Sequence, residues 1–85
     1  MTQDLRLMYL EIITPDKRLF SGEAKSVNLP GKDGSFGVLK NHAPIIASLK
    51  KGTVKVIDDK QSGQNFEIKG GVIEVLKNKI IILAE

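Results

Sequence analysis

Thr53-Val54-Lys55-Val56-Ile57, followed by the polar stretch 58–65 and then by Phe66-Glu67-Ile68-Lys69, decides the fold class. Successive side chains of a strand point to opposite faces. Val54 and Val56 therefore turn inward while Lys55 turns out, and Phe66 and Ile68 do the same beside Glu67 and Lys69. Two such runs joined by a polar loop read as a hairpin.

The same rhythm extends toward the N-terminus. A strand is predicted from Arg6 to Thr14, with Met8, Leu10 and Ile12 on one face. Pro15-Asp16-Lys17 then reads as a turn, because proline presets its dihedral and aspartate bonds its own backbone. Leu19-Phe20 opens a short strand that Ser21-Gly22 ends. Residues Lys25 to Leu29 alternate, with Val27 and Leu29 inward, until Pro30-Gly31. A glycine-rich loop over Gly31–Gly37 leads into a strand of Phe36, Val38 and Leu39. Asn41-His42-Ala43-Pro44 is an irregular crossing. Ile45 to Leu49 is predicted as strand, since Ile45-Ile46 are β-branched and the Lys51-Gly52 turn follows too soon for a helix.

Toward the C-terminus, Gly70-Gly71 interrupts an apolar run and suggests a bulge or a close backbone approach. Ile73 and Val75 follow on the inner face, and Asn78 marks a tight hairpin because it tolerates positive φ. Residues Lys79 to Ala84 are apolar on both faces. Ile80 and Ile82 supply the core, so Ile81 and Leu83 need cover from a second sheet or a partner. The expected architecture is all-β: a two-sheet antiparallel β-sandwich of about nine to ten short strands, one domain over residues 1–85, with no C-terminal helical hairpin.

Composition narrows the function. The 85 residues include no cysteine and one histidine, which excludes a disulfide framework and a thiolate zinc site. The formal net charge is only +3, with both signs interspersed. A nucleic-acid binder calls for a clustered basic stripe with stacking aromatics, and the aromatics here are Tyr9, Phe20, Phe36 and Phe66. No apolar run is long enough for a spanning helix, and the start lacks the pattern of a signal peptide.

Candidate chemistry is sparse. Gly31-Lys32-Asp33-Gly34-Ser35-Phe36-Gly37 is not a phosphate loop: Asp33 follows Lys32 where serine or threonine is needed, and no long helix follows. It reads as a turn between strands. His42 has no nucleophile or second base to act with, so a loop histidine is the plainer reading. Lys60, at a hairpin tip, suits a lipoyl- or biotinyl-like carrier, yet Gln61-Ser62-Gly63-Gln64 beside it are the residues of an ordinary solvated turn. Glu11, Glu23, Glu67 and Glu74 alternate with inward apolar positions and read as solvent faces. From the residues alone the chain is an interaction or structural module, with the Lys60 carrier and a small basic nucleic-acid-binding module as alternatives.

The stretch Gly34-Ser35-Phe36-Gly37-Val38-Leu39-Lys40-Asn41-His42-Ala43-Pro44-Ile45-Ile46 resembles a segment of the ε subunits of F-type ATP synthases. Leu10-Glu11-Ile12-Ile13-Thr14-Pro15 with Leu19-Phe20-Ser21-Gly22, then Lys25 to Gly31, then Gly70 to Val75 with Asn78 and Ile81 to Ala84, resemble further family segments in the same order. Lys40 departs from the pattern, since the family usually has proline there. The resemblance implies a non-catalytic central-stalk subunit with no cofactor, which fastens the γ subunit to the ring of c subunits and couples proton flow to ATP synthesis. It implies a peripheral place on the cytoplasmic face of the bacterial inner membrane, without insertion. Carried over by position, Lys32, Asp33, Ser35 and His42 would face the c ring, and Thr14, Leu19 and Phe20 would face γ. The family's C-terminal helices, which restrain hydrolysis, are expected to be missing in a short form that ends at Glu85.

Overall fold

The computed structural model describes residues 7–85, so Arg6, the expected start of the first strand, lies outside them. Six strands form among the described residues: β1 (Met8–Ile13), β2 (Arg18–Gly31), β3 (Gly34–Val38), β4 (Ile45–Asp58), β5 (Gly63–Leu76) and β6 (Lys79–Ala84). The all-β sandwich is as expected, but the strand number is not. Three of the strands run for 14 residues each. Ser21-Gly22, Lys51-Gly52 and Gly70-Gly71, each read as an end or an interruption, lie inside continuous strands.

The hydrogen-bonded order is β1-β6-β5-β4-β2-β3, and β1 also pairs with β2. The sheet thus closes into a ring of β1, β2, β4, β5 and β6, with β3 added outside β2. Antiparallel neighbours must alternate in direction, which a ring with an odd number of strands cannot do throughout. One pair must be parallel, and it is β1 with β6, in register from Tyr9 opposite Lys79 to Ile13 opposite Leu83. The expected wholly antiparallel pairing is corrected at that one seam. The long strands bend over the core, so one ring presents two packed faces.

The bends are visible in the burial pattern. Along β4, Leu49 is buried, then Lys50 and Lys51 are both exposed, then Val54 and Val56 are buried. The inward positions switch from odd to even at the two lysines. β5 switches at Gly70-Gly71, from Ile68 to Ile73 and Val75. Gly71 has φ of 148°, and a side chain there would meet the Leu83 carbonyl oxygen and lie 3.0 Å from Ala84 Cα. The close approach expected at these glycines is thus the corner of the sandwich.

Met8, Leu10, Ile12, Val27, Leu29, Val38, Val54, Val56, Ile68, Ile73, Val75, Ile80 and Ile82 lie in the core, which includes the inward positions expected from β1, β2 and the last two strands except Phe66, which is partly buried against it. Leu39 differs: β3 ends at Val38, and Leu39 is exposed. The tight hairpin expected at Asn78 forms between Leu76 and Lys79, with Lys77 and Asn78 at φ of 51° and 62°.

Candidate functional site

The β2–β3 hairpin carries Lys32 and Asp33 at its tip, between the paired Gly31 and Gly34. Gly31 is required here, since a Cβ would come within 2.7 Å of the Phe36 ring. The Lys32 N–H donates to the Ser48 carbonyl at 3.0 Å, which clips the tip to β4. Lys32 and Asp33 therefore wall a shallow groove of about 500 Å³ together with Phe36, Ile45, Ile46 and Ser48. Ser35 points elsewhere and lines a second groove with Asn28, Thr53 and Lys55.

His42 lines neither groove. Its N–H donates to the Leu39 carbonyl at 3.1 Å. Its Nδ1–H donates to the Ala43 carbonyl at 2.7 Å. The neighbouring Asn41, at φ of 67°, donates its N–H to Asn78 Oδ1 at 2.7 Å, so this loop is anchored to the β5–β6 hairpin. Of the four residues expected to act together, the structure groups Lys32 with Asp33 and sets Ser35 and His42 apart.

Thr14 organises the β1–β2 turn. Its Oγ1 accepts the N–H groups of Asp16 and Lys17 and donates to the Lys17 carbonyl at 3.0 Å. Leu19 and Phe20 are half-buried against the core, and Phe20 meets Phe66 edge-on with ring centroids 5.9 Å apart. The Lys60 hairpin is built around Asp58. Its carboxylate accepts from the Ser62 N–H, the Lys60 N–H and the Gln64 side chain, and these bonds hold its pKa below the usual carboxylate value.

Sequence reasoning missed the outer face of β4, β5 and β6. Ile46 is 76% exposed, Leu83 55%, Leu76 48% and Val72 41%. The register places Ile46 opposite Glu74 and Glu74 opposite Ile81, with Ser48, Val72 and Leu83 in the next row. Ile13 extends that row across the parallel seam, and the chain leaves it directly into Thr14. The only signal in the sequence was that Ile80 to Ala84 are apolar on both faces. No second sheet covers Leu83; that half of the expected cover is corrected here. Among the described residues no group of three or more His, Cys, Asp or Glu side chains is placed to hold a metal, and no helix is long and apolar enough to cross a membrane.

The β-sandwich domain of the ATP synthase delta/epsilon chain matches residues 7–85. The chain belongs to that family. It is 49% identical over 76 residues to the ATP synthase epsilon chain of Chlorobium limicola, covering 89% of this chain and 86% of that one. The Maricaulis maris epsilon chain is 41% identical over 78 residues, covering 92% of this chain and 58% of its own length. The family fold is also met in solved structures. A chain of the Euglena gracilis mitochondrial ATP synthase, in a structure of its OSCP, F1 and c-ring, superposes with a TM-score of 0.86 at 17% identity, over 99% of this chain and 53% of that one. A chain of the Tetrahymena thermophila mitochondrial ATP synthase central stalk and c-ring gives 0.74 at 16% identity, over 99% and 66%.

Proposed function

We propose that this chain is a rotor part of an F-type ATP synthase, which binds γ, rests on the c ring and turns with both. It contributes stiffness and contact area and no catalytic group. The observation that carries this reading is the family match over residues 7–85 on a sandwich whose outer β4–β6 face leaves Ile46, Val72, Leu76 and Leu83 exposed around Glu74. Large exposed apolar patches rimmed by polar groups mark protein contacts.

We assign γ to that face. Thr14 stands at its rim through the Ile13–Leu83 pair. Phe20, opposite the buried Ile12, turns to the inner face with Leu19 against the core, so these two would support the contact from behind and not line it. We assign the polar loops of the c ring to Lys32, Asp33 and Ser35 on the β2–β3 hairpin, with His42 contributing from its separate loop. Exposed polar groups suit a wet, rim-like contact. The place this gives the chain is peripheral, at the cytoplasmic side of a bacterial membrane.

Co-expression with the γ subunit of the same ATP synthase, with a tag on this chain, tests the reading. A one-to-one complex that survives gel filtration is expected. A folded γ that never co-purifies would overturn it.

A further inference from the structure

The corner where β4 and β5 bend gathers positive charge. Lys50 pairs with Gly70 and Gly52 with Ile68, so Lys51 and Lys69 stand opposite each other between those pairs. The phase switch at Lys50-Lys51 turns both of these side chains out, and Lys69 is exposed too. Lys32 arrives from the β2–β3 hairpin, clipped to Ser48, two residues before Lys50. Like charges directly opposite weaken a strand pair. No ion pair joins any of these four lysines to a carboxylate among the described residues, although Asp33 adjoins Lys32 in sequence and the Glu85 carboxylate stands beside Gly70. The fold thus keeps four lysines at one corner without a direct ion pair, at a cost to its own sheet.

The form of the corner selects its occupant. Lys50, Lys51 and Lys69 line neither groove described above. They are compact charges on flexible stems, without the planar fork with which arginine reads a carboxylate. Such a set attracts a diffuse anionic surface and has little to fix one acidic peptide in register. We propose that the lysine corner rests against the anionic phospholipid headgroups of a membrane surface. The contact is electrostatic and peripheral and requires no insertion, and it adjoins the edge of the face assigned to γ, since Lys50 follows Ser48 along β4.

Each lysine close to an anionic bilayer strengthens binding by about fivefold at low salt. The test is sedimentation of the full chain with vesicles of phosphatidylcholine and phosphatidylglycerol, against phosphatidylcholine alone, over a salt series. Two triple variants have the same net charge, each lowering the +3 to zero: Lys50→Gln/Lys51→Gln/Lys69→Gln at the corner and Lys17→Gln/Lys55→Gln/Lys60→Gln away from it. The wild type should bind the anionic vesicles alone and lose them as salt rises. The corner variant should lose on the order of a hundredfold, and the control variant less than about fivefold. Equal losses in the two variants would mean net charge without a site, and would overturn the proposal. So would a wild type that binds no vesicles; if the corner variant then also fails to join the assembled rotor, the corner belongs to an acidic protein surface. Co-purification of γ with the corner variant, read in parallel, keeps this outcome separate from failure of the rotor reading.

Discussion

Ile82 and Leu83 are neighbours on β6, chemically alike, and opposite in fate. Ile82 is fully buried in the sandwich and Leu83 is 55% exposed on its back. The contrast extends across three strands. The inner face of β4–β6, with Leu49, Ile73, Val75, Ile80 and Ile82, holds the domain together. The outer face, with Ile46, Val72, Leu76 and Leu83, has no second layer of the chain packed over it and stays largely exposed. Apolar area stabilises a fold only when it leaves water on folding. The outer residues therefore add little to the isolated domain, and their contribution is made when a partner covers them.

Substitutions at the two faces should separate these roles. The largest effect belongs to the inner face: Ile82→Ala should lower the free energy of unfolding by about 2–5 kcal/mol in urea titrations. An effect under 1 kcal/mol there would break the contrast. Next comes the corner that lets one strand serve both faces. Gly71→Ala forces a side chain against backbone at a φ that L-residues avoid, and should destabilise by about 1–3 kcal/mol. At the rim, Thr14→Ala removes the hydroxyl that accepts two N–H groups of the β1–β2 turn and should cost about 1 kcal/mol in the same titration.

The smallest effect concerns pH. The hydrogen bond from Ser62, with those of Lys60 and Gln64, depresses the pKa of Asp58 in the folded state. The stability it contributes is present above the unfolded carboxylate pKa and fades as pH falls through the folded value. Asp58→Asn should flatten the acid side of the stability–pH curve slightly while leaving both faces of β4–β6 intact.

Much of the inner face was legible from residues 53–69 and 79–84, because alternation records which side of a strand is dry. The hairpin at Asn78 and the Gly70-Gly71 approach were legible from residue type, because asparagine and glycine accept backbone that other residues avoid. Strand number was not. Lys51-Gly52 and Ser21-Gly22 carry the residues of turns, but a bending strand needs those residues too, and only the ladder of pairs distinguishes bend from end. The grouping of Lys32 with Ile45 and Ile46 depends on one bond between Lys32 and Ser48, which nothing local announces. The outer face was hidden because an apolar residue looks the same in sequence whether its cover is the chain itself or another protein. The family was legible from four segments in order, since it rests on residue identities and not on packing.

The central claim is that the outer face of β4–β6 is the γ contact. The most direct test is the affinity for γ of the double variant Ile46→Lys/Leu83→Lys, with its urea midpoint measured alongside. Both side chains are more than half exposed, so the midpoint should correspond to a change of about 0.5 kcal/mol or less per site, while affinity falls by a hundredfold or more, or about 2.7 kcal/mol. Unchanged affinity in a variant as stable as the wild type would contradict the account and place γ on another surface of the sandwich.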